Sequence, residues 1–383
     1  MTEPIRTGQT LQDREIVLGI TGSVAAVETV KLAHALRRRG ASVQGVMTEA
    51  ASGIIHPDAV TYATGRPTLT RCGGLVEHVT HCGVGGSADV LLIAPCTANT
   101  LAKIAAGIDD TPVTTFATTA IGRGMPVVVV PAMHESMYCH PAVRESIARL
   151  RSWGITVVDP HIEEEKAKIA PVEEIVLHTE RAVMQGPLTG KTVLVTSGRC
   201  EEAVDDVRVM TTRSSGRMGR EIALQAFRLG ADVWVVHRDR FPCVGNVHAI
   251  SAADMRNAVH DICTTRNVDY YVSAAALSDF APERADGKIP SGSPVTIRLA
   301  PQPKLLPEVL ERWSPITVAF KLGWQEGDKA AALLAAGARA VVVNTPDVLG
   351  SDEGVFSVLT AAQTTEIAGS KEEVAQAVWS AVL

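Results

Sequence analysis

The sequence places glycine and small hydroxyl residues directly after short apolar segments at three points in its first half. Gly22 and Ser23 follow the first segment, Thr48 follows the second, and Thr97 and Asn99 follow the third. An apolar segment that ends in such residues before a helical segment is typical of a strand-to-helix turn, where backbone N–H groups and the helix dipole can bind a phosphate. A single turn of this kind also occurs for steric reasons alone, but three successive ones predict a shared phosphate site.

Three histidines near these segments could transfer protons. His78 and His81 lie three residues apart before the third segment, and His134 lies after a fourth, valine-rich segment. An imidazole can accept or donate a proton near neutral pH. The spacing of His78 and His81 could also suit a metal ion, although no third ligand is evident nearby. For each histidine, the alternative is a surface residue or a core residue with hydrogen-bond partners.

The densest polar motif lies in the second half, before a helical segment. It combines hydroxyl residues, glycine and arginine, namely Thr212, Arg213, Ser214, Ser215, Gly216 and Arg217. Such a loop could bind a triphosphate or a phosphorylated substrate, because a guanidinium makes paired hydrogen bonds to phosphate oxygens. Further along, Asp279 follows another apolar segment and could hold Mg²⁺ at nucleotide phosphates through its carboxylate. The alternatives are a solvated turn for the loop and a turn cap for Asp279.

Alternating strands and helices would have to position these residues. In the first half, apolar segments predict strands at Glu15–Thr21, Ser42–Met47, Ala88–Pro95 and Met125–Pro131, with helical segments between them. This alternation predicts a parallel sheet covered by helices. The carboxyl ends of parallel strands share one edge of the sheet, and ligands bind at that edge in open α/β sheets.

A second α/β domain is predicted after Gln185–Gly190, which has the composition of a linker, so the predicted domains are residues 1–186 and 187–383. A polar loop, Arg199 to Arg217, separates the first strand of this domain from a helix that begins at about Gly219. Ala281 to Pro303 is rich in proline, glycine and charge, and it is either a functional lid or a solvated loop. Further strands are predicted at Val193–Thr196, Ala231–His237, Asp269–Ala275 and Arg339–Asn344.

Composition limits the possible partners. The chain has 383 residues, 46% hydrophobic residues and a formal net charge of -6, which suits soluble globular domains and argues against a nucleic-acid partner. No apolar segment reaches the roughly 18 residues of a membrane span, and no signal-peptide pattern is present, so a cytoplasmic protein with no membrane partner is predicted. The seven cysteines include no CxxC pair, which predicts reduced thiols rather than disulfides or structural zinc.

Together the motifs resemble one family. They are GITGSVAA, EHV, ADVLLIAPCTANTLAKIAAGIDD and PAMHESM in the first half, and SSGRMG, SAAALSDF, KI after Gly287, AFK around Phe320 and VVVN ending at Asn344 in the second. In their order and spacing they resemble the bifunctional phosphopantothenoylcysteine decarboxylase/phosphopantothenate-cysteine ligase family of coenzyme A biosynthesis, particularly its archaeal branch. The resemblance covers nearly the whole chain. It implies two tandem three-layer α/β domains, a flavodoxin-like FMN domain followed by a Rossmann-like nucleotide-binding domain.

The resemblance implies two reactions. The second domain would activate the carboxylate of 4'-phosphopantothenate by nucleotidyl transfer, usually from CTP with Mg²⁺, and cysteine would then displace the nucleotide. The first domain would decarboxylate the resulting 4'-phosphopantothenoylcysteine to 4'-phosphopantetheine, with FMN as the redox cofactor. The resemblance also implies a homo-oligomer, because a partner subunit completes each site.

The resemblance further implies roles for individual residues. His78 matches the active-site histidine through EHV, whereas His81 better preserves the spacing to the next strand; we favour His78 and keep His81 as its rival. His134 stands where the family usually has an asparagine that binds the substrate carboxylate. The residues implied for FMN are Gly22, Ser23, Thr48, Thr97 and Asn99. Those implied for nucleotide and substrate are Thr212, Ser214, Ser215, Gly216, Arg217, Asp279, Lys288, Phe320 and Asn344, with Asp279 also implied as the metal ligand.

The sequence departs from the family pattern at several positions. Glu163 to Lys168 lacks the flap cysteine that protonates the decarboxylation intermediate in bacterial members, Thr212 replaces an asparagine, and Pro290 replaces the second lysine of a KIK motif. Ala331 to Ala338 lacks two expected lysines. The alternatives are therefore a decarboxylase with a degenerate ligase half, or a non-catalytic flavin-binding regulatory protein. A NAD-dependent dehydrogenase is disfavoured because neither half has GxGxxG followed by an acidic residue.

Overall fold

Short, buried strands form the centre of each half of the chain. The structure, a computed structural model, describes residues 8–163, 166–184, 186–324 and 326–383. The chain divides into two compact units, Met1–Gln185 and Gly186–Leu383, called unit 1 and unit 2 below.

The strands of unit 1 are β1 (Glu15–Ile20), β2 (Ser42–Met47), β3 (Val90–Cys96), β4 (Val127–Pro131), β5 (Met133–His134), β6 (Thr156–Val157), β7 (His161–Glu163) and β8 (Lys166–Lys168). Unit 1 is built on a five-stranded parallel sheet in the order β2-β1-β3-β4-β6. This is the order of flavodoxin-like folds. Every residue of β3 and β4 is buried, as their continuous hydrophobicity predicts.

Helices cover both faces of this sheet. One hydrophobic core packs Ile16 and Leu18 of β1 against the helices Thr29–Arg38 and Val172–Met184. A second core packs Val17, on the opposite side of β1, against the helices Ala98–Ala106, Pro112–Arg123 and Pro141–Ser152. The predicted three-layer α/β arrangement is thus confirmed for unit 1. Its helices are α1 (Thr29–Arg38), α2 (Glu49–Ser52), α3 (Pro57–Thr64), α4 (Glu77–Cys82), α5 (Ala98–Ala106), α6 (Pro112–Arg123), α7 (Glu135–Tyr138), α8 (Pro141–Ser152) and α9 (Val172–Met184), and a 3-10 turn spans Val24–Glu28.

The strands of unit 2 are β9 (Thr192–Thr196), β10 (Glu201–Ala203), β11 (Val209–Thr211), β12 (Asp232–His237), β13 (Gly245–His248), β14 (Tyr270–Ser273), β15 (Phe280–Pro282), β16 (Leu299–Pro301), β17 (Ile316–Leu322), β18 (Ala340–Asn344), β19 (Glu353–Thr360) and β20 (Thr364–Ser370). Unit 2 contains an eight-stranded sheet in the order β13-β12-β9-β14-β17-β18-β19-β20. The first six strands in this order are parallel and follow the Rossmann order, and the last two add an antiparallel extension.

Two helix layers also enclose the sheet of unit 2, so its predicted Rossmann-like architecture is confirmed. On one face Leu194 and Tyr271 pack against α11 (Ala252–Thr265) and α12 (Leu305–Arg312). On the other, α10 (Arg217–Arg228) and α14 (Lys371–Val382) pack together, and the indole of Trp379 donates to the Ile222 carbonyl at 3.0 Å. The remaining helix is α13 (Gly327–Ala335), and a 3-10 turn spans Pro346–Val348.

Two sequence expectations need correction. The polar stretch from Arg199 to Arg217 is not a simple loop, because β10 and β11 pair within it as an antiparallel hairpin. The following helix begins at Arg217 rather than near Gly219. The stretch from Ala281 to Pro303 is closed at its base by pairing of β15 with β16.

The described residues contain no helix that is long and apolar enough to span a membrane. All seven cysteines are free thiols in the structure.

Candidate functional site

The predicted phosphate-binding residues of unit 1 lie together at the carboxyl edge of its sheet. They follow β1, β2 and β3, which are neighbours in the sheet. The Thr48 N–H donates to the Ile20 carbonyl at 3.1 Å, and the Thr97 N–H donates to the Thr21 hydroxyl oxygen at 2.9 Å. Because these bonds join the ends of three strands, the edge is a fixed surface rather than three independent loops.

At each of these strand ends a hydroxyl caps the next helical segment. The side-chain oxygens of Ser23, Thr48 and Thr97 accept from the backbone N–H groups of the following turns at 3.4, 3.2 and 3.3 Å. Ser and Thr are favoured N-caps because they satisfy N–H groups that lack a partner within the helix. Asn99 is exposed in the first turn of α5.

Gly22 permits the close approach of two of these loops. A Cβ atom at Gly22 would lie 2.6 Å from the Cβ of Ala50 in α2, which is too close for a side chain. Beside it, the side chain of Val24 is 78% exposed and offers an apolar surface. A glycine, capping hydroxyls and an exposed apolar side chain together suit a ligand with a phosphate and a flat ring.

The structure gives His78 and His81 different surroundings, although both lie on α4. Nδ1 of His81 lies 2.7 Å from the Glu15 carboxylate, and its ring stacks on Phe116. Burial raises the pKa of the Glu15 carboxyl, but hydrogen bonds with Ser87 and His81 outweigh this effect and the pKa lies below its ordinary value. Because Glu15 begins β1, His81 is bound at the edge of the sheet opposite to the phosphate-type loops.

His78 lies one turn earlier on α4 and its ring packs edge-on against Phe116, with 6.4 Å between the ring centroids. Its Nδ1 is buried and has no hydrogen-bond partner among the described residues. Nε2 is therefore the nitrogen through which His78 can reach a ligand.

His134 ends β5 and caps the short helix α7. Its Nδ1 accepts from the Ser136 N–H at 3.3 Å and lies 2.8 Å from the Ser136 hydroxyl. A backbone N–H can only donate, so Nδ1 is an acceptor and the proton of the neutral ring lies on Nε2. The ring is exposed and can donate from Nε2.

A small antiparallel sheet lies beside His134. β5 pairs with β8 and β8 with β7, which places the backbone of His134 opposite Lys166. The sequence that implies the missing flap cysteine, Glu163 to Lys168, includes Glu164 and Glu165, which lie outside the described residues.

In unit 2 the polar motif surrounds the end of β9. The Ser197 hydroxyl donates to the Gly216 carbonyl at 3.1 Å, and the Thr212 hydroxyl donates to the Ala276 carbonyl at 3.3 Å. A Cβ atom at Gly219 would lie 2.3 Å from Oγ of Ser197, so only glycine allows α10 to pack this closely. The Ser214 oxygen accepts from the Gly216 N–H at 3.4 Å, and Ser215 is exposed.

Two predicted ligand contacts are engaged within the protein. The Arg217 guanidinium donates to the Gly350 carbonyl at 2.6 Å and to the Asp352 carboxylate at 2.8 Å. Asp279 forms an ion pair with Lys304, and both side chains are exposed. A ligand phosphate or a cation would have to share these groups or displace a partner.

The remaining predicted residues of unit 2 are distributed over further strand ends. Phe320 in β17 and Asn344 at the end of β18 are half-buried, and the Asn344 carbonyl accepts from the Gly323 N–H at 2.9 Å. Lys288 is exposed on the stretch between β15 and β16. Within the described ranges, no group of three or more His, Cys, Asp or Glu side chains could hold a metal ion, so Asp279 would be a single carboxylate beside phosphate oxygens.

Sequence reasoning missed several residues that shape these sites. Glu15 and Phe116 distinguish the two histidines, and Lys304 pairs with Asp279. Asp205 and Arg208 bind the chain beside Lys288. Only the three-residue spacing of Asp205 and Arg208 could have suggested an interaction, because the other residues are distant in sequence from their partners.

A groove lies elsewhere in unit 2, between β13 and α11. It has a volume of about 640 Å³, and its lining includes Trp234, Asp254 and Arg266. None of the predicted site residues lines it. The strand ends, rather than this groove, bring the candidate residues together.

Comparison with known families agrees with the division of the fold. Residues 4–184 match the family described as Flavoprotein, and residues 188–383 match the DNA/pantothenate metabolism flavoprotein C-terminal domain. A flavodoxin-like unit with phosphate-type strand ends, followed by a Rossmann-like unit, defines the chain as a two-domain flavoprotein.

Similar proteins identify the family. The coenzyme A biosynthesis bifunctional protein CoaBC of Thermococcus kodakarensis is 42% identical over 355 residues, which is 90% of this chain and 88% of that protein. The solved C-terminal domain of a CoaBC protein is 28% identical, covers 50% of this chain and 94% of its own, and has a TM-score of 0.43. The FMN-dependent cysteine decarboxylase SpaF is 30% identical, covers 45% and 98%, and has a TM-score of 0.40. This chain belongs to the family of coenzyme A biosynthesis bifunctional proteins CoaBC.

Proposed function

We propose that this chain catalyses two successive reactions of coenzyme A biosynthesis. Unit 2 joins cysteine to 4'-phosphopantothenate at the expense of CTP, and unit 1 decarboxylates 4'-phosphopantothenoylcysteine to 4'-phosphopantetheine. The observation that best supports this proposal is the presence of both family domains in one chain that is 42% identical to a bifunctional CoaBC protein over nearly its full length.

FMN fits the carboxyl edge of the sheet in unit 1. Gly22, Ser23 and Thr48 would hold its phosphate with Thr97 and Asn99, because these residues surround adjoining strand ends. When bound, FMN supplies the two-electron oxidation and reduction that decarboxylation of a cysteinyl group requires.

His134 would bind the substrate carboxylate. Its Nδ1 is engaged by Ser136, so Nε2 carries the proton and donates to the carboxylate, as an amide N–H would. This hydrogen bond orients the carboxylate for its loss as carbon dioxide.

His78 would transfer the proton of the substrate thiol. Its buried Nδ1 lacks a partner, and its other nitrogen remains available for a ligand. His81 is bound to Glu15 and would stabilise the base of α4 instead.

In unit 2, the loop from Thr212 to Arg217 would receive the nucleotide phosphates and 4'-phosphopantothenate. Lys288 would neutralise the charge that develops as the substrate carboxylate attacks the nucleotide and releases pyrophosphate. Phe320 and Asn344, at the ends of β17 and β18, would line the same site. Mg²⁺, held by Asp279 together with phosphate oxygens, would polarise the phosphoryl group under attack.

The protein is also proposed to be a cytoplasmic homo-oligomer. Leu75 and Val84 of unit 1 are 80% and 94% exposed, and a partner surface that covered them would gain buried apolar area. A solution mass that is a multiple of 40.5 kDa by light scattering would support this proposal, and a monomeric mass would contradict it.

A second candidate function is a decarboxylase with an inactive ligase half. It is favoured by Pro290 in place of a lysine, and by the engagement of Arg217 and Asp279 within the protein. The two functions share unit 1 and differ only in what unit 2 can do.

Mass spectrometry of two incubations separates the candidates. The first contains protein, FMN, 4'-phosphopantothenate, cysteine, Mg²⁺ and either CTP or ATP, and the second contains supplied 4'-phosphopantothenoylcysteine instead. We expect 4'-phosphopantetheine in both. Product in the second incubation alone would establish the decarboxylase, and product in neither would contradict both functions.

A further inference from the structure

Asp205 has a buried carboxylate although it lies in the turn between β10 and β11. Its side chain is 0% exposed. Oδ1 accepts from the N–H groups of Val207 at 2.8 Å and Arg208 at 2.6 Å, and the carboxylate also pairs with the Arg208 guanidinium. Burial raises the pKa of Asp205, but the backbone N–H groups and the guanidinium outweigh burial and hold the pKa well below its ordinary value.

A third N–H group reaches this carboxylate from a distant part of the chain. The Ile289 N–H donates to Oδ2 of Asp205 at 3.0 Å across 84 residues, and Arg208 Nη1 donates to the Ile289 carbonyl at 3.2 Å. The pair Asp205 and Arg208 therefore binds both backbone polar groups of the residue that follows Lys288.

The residues before Lys288 are bound to the same turn. The Ala285 N–H donates to the Val204 carbonyl at 3.0 Å, and the Asp206 N–H reaches the Gly287 carbonyl at 3.4 Å. The chain is thus fixed on both sides of Lys288, whereas residues 291–299, beyond Pro290, are exposed.

We propose that Asp205 and Arg208 are positioning residues that hold Lys288 in place for the nucleotide-dependent ligation. This inference rests on the function proposed for unit 2. A lysine side chain on a long polar segment has many accessible positions, and ordering it anew in each catalytic cycle would cost conformational entropy. Hydrogen bonds to the backbone on both sides of Lys288 remove the backbone part of that cost before the substrate binds.

The test compares wild-type protein with Asp205→Asn in the full chain. The substitution removes the charge that binds three N–H groups and the guanidinium. We expect kcat of ligation to fall about 10- to 100-fold, with a smaller change in KM, because a misplaced ammonium no longer stabilises the transition state. Decarboxylation of supplied 4'-phosphopantothenoylcysteine by unit 1 should not change.

Limited trypsin digestion tests the positioning without relying on activity. In Asp205→Asn the chain around Lys288 loses its bonds to Asp205, so trypsin should cleave faster after Lys288 and Arg284. Cleavage elsewhere in the chain should stay at the wild-type rate. The matched control is Asp206→Asn, which removes only the exposed ion pair between Asp206 and Arg284. Because exposed ion pairs contribute little, its kcat and cleavage at Lys288 should remain at wild-type values.

A second variant guards against misfolding of Asp205→Asn. Arg208→Lys keeps the positive charge beside Asp205 but removes the guanidinium, whose Nη1 donates both to Asp205 and to the Ile289 carbonyl. Arg208→Lys should show a smaller fall in kcat of ligation and a smaller rise in cleavage after Lys288 than Asp205→Asn. Wild-type cleavage at Lys288 in both variants, or wild-type kcat in both, would overturn the inference. A wild-type protein that ligates with neither nucleotide would instead contradict the proposed function, before any variant is compared.

Discussion

The imidazole of His134 has one nitrogen bound to its own chain and one available to a ligand. Ser136 engages Nδ1, so Nε2 of the neutral ring is a donor. In the proposed function His134 would therefore do what the asparagine implied by the family resemblance does, because both side chains present an N–H group to a carboxylate.

If the N–H donor at Nε2 of His134 binds the substrate carboxylate, two substitutions of His134 should have different effects. His134→Asn should retain kcat/KM for decarboxylation within about tenfold of wild type, since the amide again donates. His134→Ala should lose about 10- to 100-fold, which corresponds to one hydrogen bond to a charged group. Initial rates with supplied 4'-phosphopantothenoylcysteine measure both. Equal rates for alanine and asparagine would show that no donor is needed at this position.

Individual residues were the hardest part to predict from the sequence. Histidine spacing left His78 and His81 unresolved, because Glu15, which binds His81, is 66 residues away. Asp205 was missed for the same reason, since its partner Ile289 is distant and belongs to a polar stretch without periodicity.

At the scale of elements, each unit has a glycine that permits a loop to approach its neighbour. A methyl group at Gly22 would meet Ala50, and one at Gly219 would meet Ser197. Forcing a side chain into such contacts typically costs about 1–3 kcal/mol and displaces the loop.

Alanine substitutions at these glycines should affect opposite activities. Gly22→Ala should lower the flavin content per chain and decarboxylation but leave ligation intact, and Gly219→Ala should lower ligation but leave flavin content intact. Flavin absorbance and product analysis measure both effects. Gly122→Ala is the control, because nothing lies within 4 Å of a Cβ there. Loss of both activities in either variant would argue against separate sites.

His178, in α9, should make the free energy of unfolding of unit 1 depend on pH. Burial of His178, with a further contribution from the Arg181 charge, lowers its pKa to about 4. In the unfolded chain the imidazole takes up a proton near pH 6.5. As the pH falls from about 6.5 to about 4, the unfolded state therefore binds more protons, and the free energy of unfolding should decrease by up to about 3 kcal/mol.

Denaturant unfolding of wild type and His178→Gln at several pH values between 7 and 4.5 tests this effect. Glutamine does not titrate, so the variant should lose less stability than wild type over this range. An equal decrease in the free energy of unfolding with falling pH in the two proteins would show that His178 does not cause the pH dependence.

Elements were predicted more successfully than residues. Buried strands such as β3 and β4 have continuous hydrophobic segments that directly reflect their burial on two faces. The hairpin of β10 and β11 was not predicted, because it is polar and its hydrogen bonds to other segments depend on tertiary structure.

For the whole molecule, the order of strands explains why two chemistries can occupy one chain. Each unit has its own sheet with neighbouring parallel strands, its own carboxyl edge and its own glycine-bearing turn. The fold class could be predicted from the alternation of apolar and helical segments. The activities could be inferred only from the order of the motifs and from membership of the CoaBC family. We therefore expect ligation and decarboxylation to take place at separate sites.

The most direct test is the full reaction carried out by His78→Asn, with FMN, CTP, Mg²⁺, cysteine and 4'-phosphopantothenate, followed by mass spectrometry. Loss of the proposed proton-transfer group should slow decarboxylation by about 10²- to 10⁴-fold. 4'-Phosphopantothenoylcysteine should then accumulate at the wild-type rate of ligation. His81→Asn, on the same helix, should still yield 4'-phosphopantetheine. Wild-type production of 4'-phosphopantetheine by His78→Asn, or equal loss of both reactions, would contradict the account.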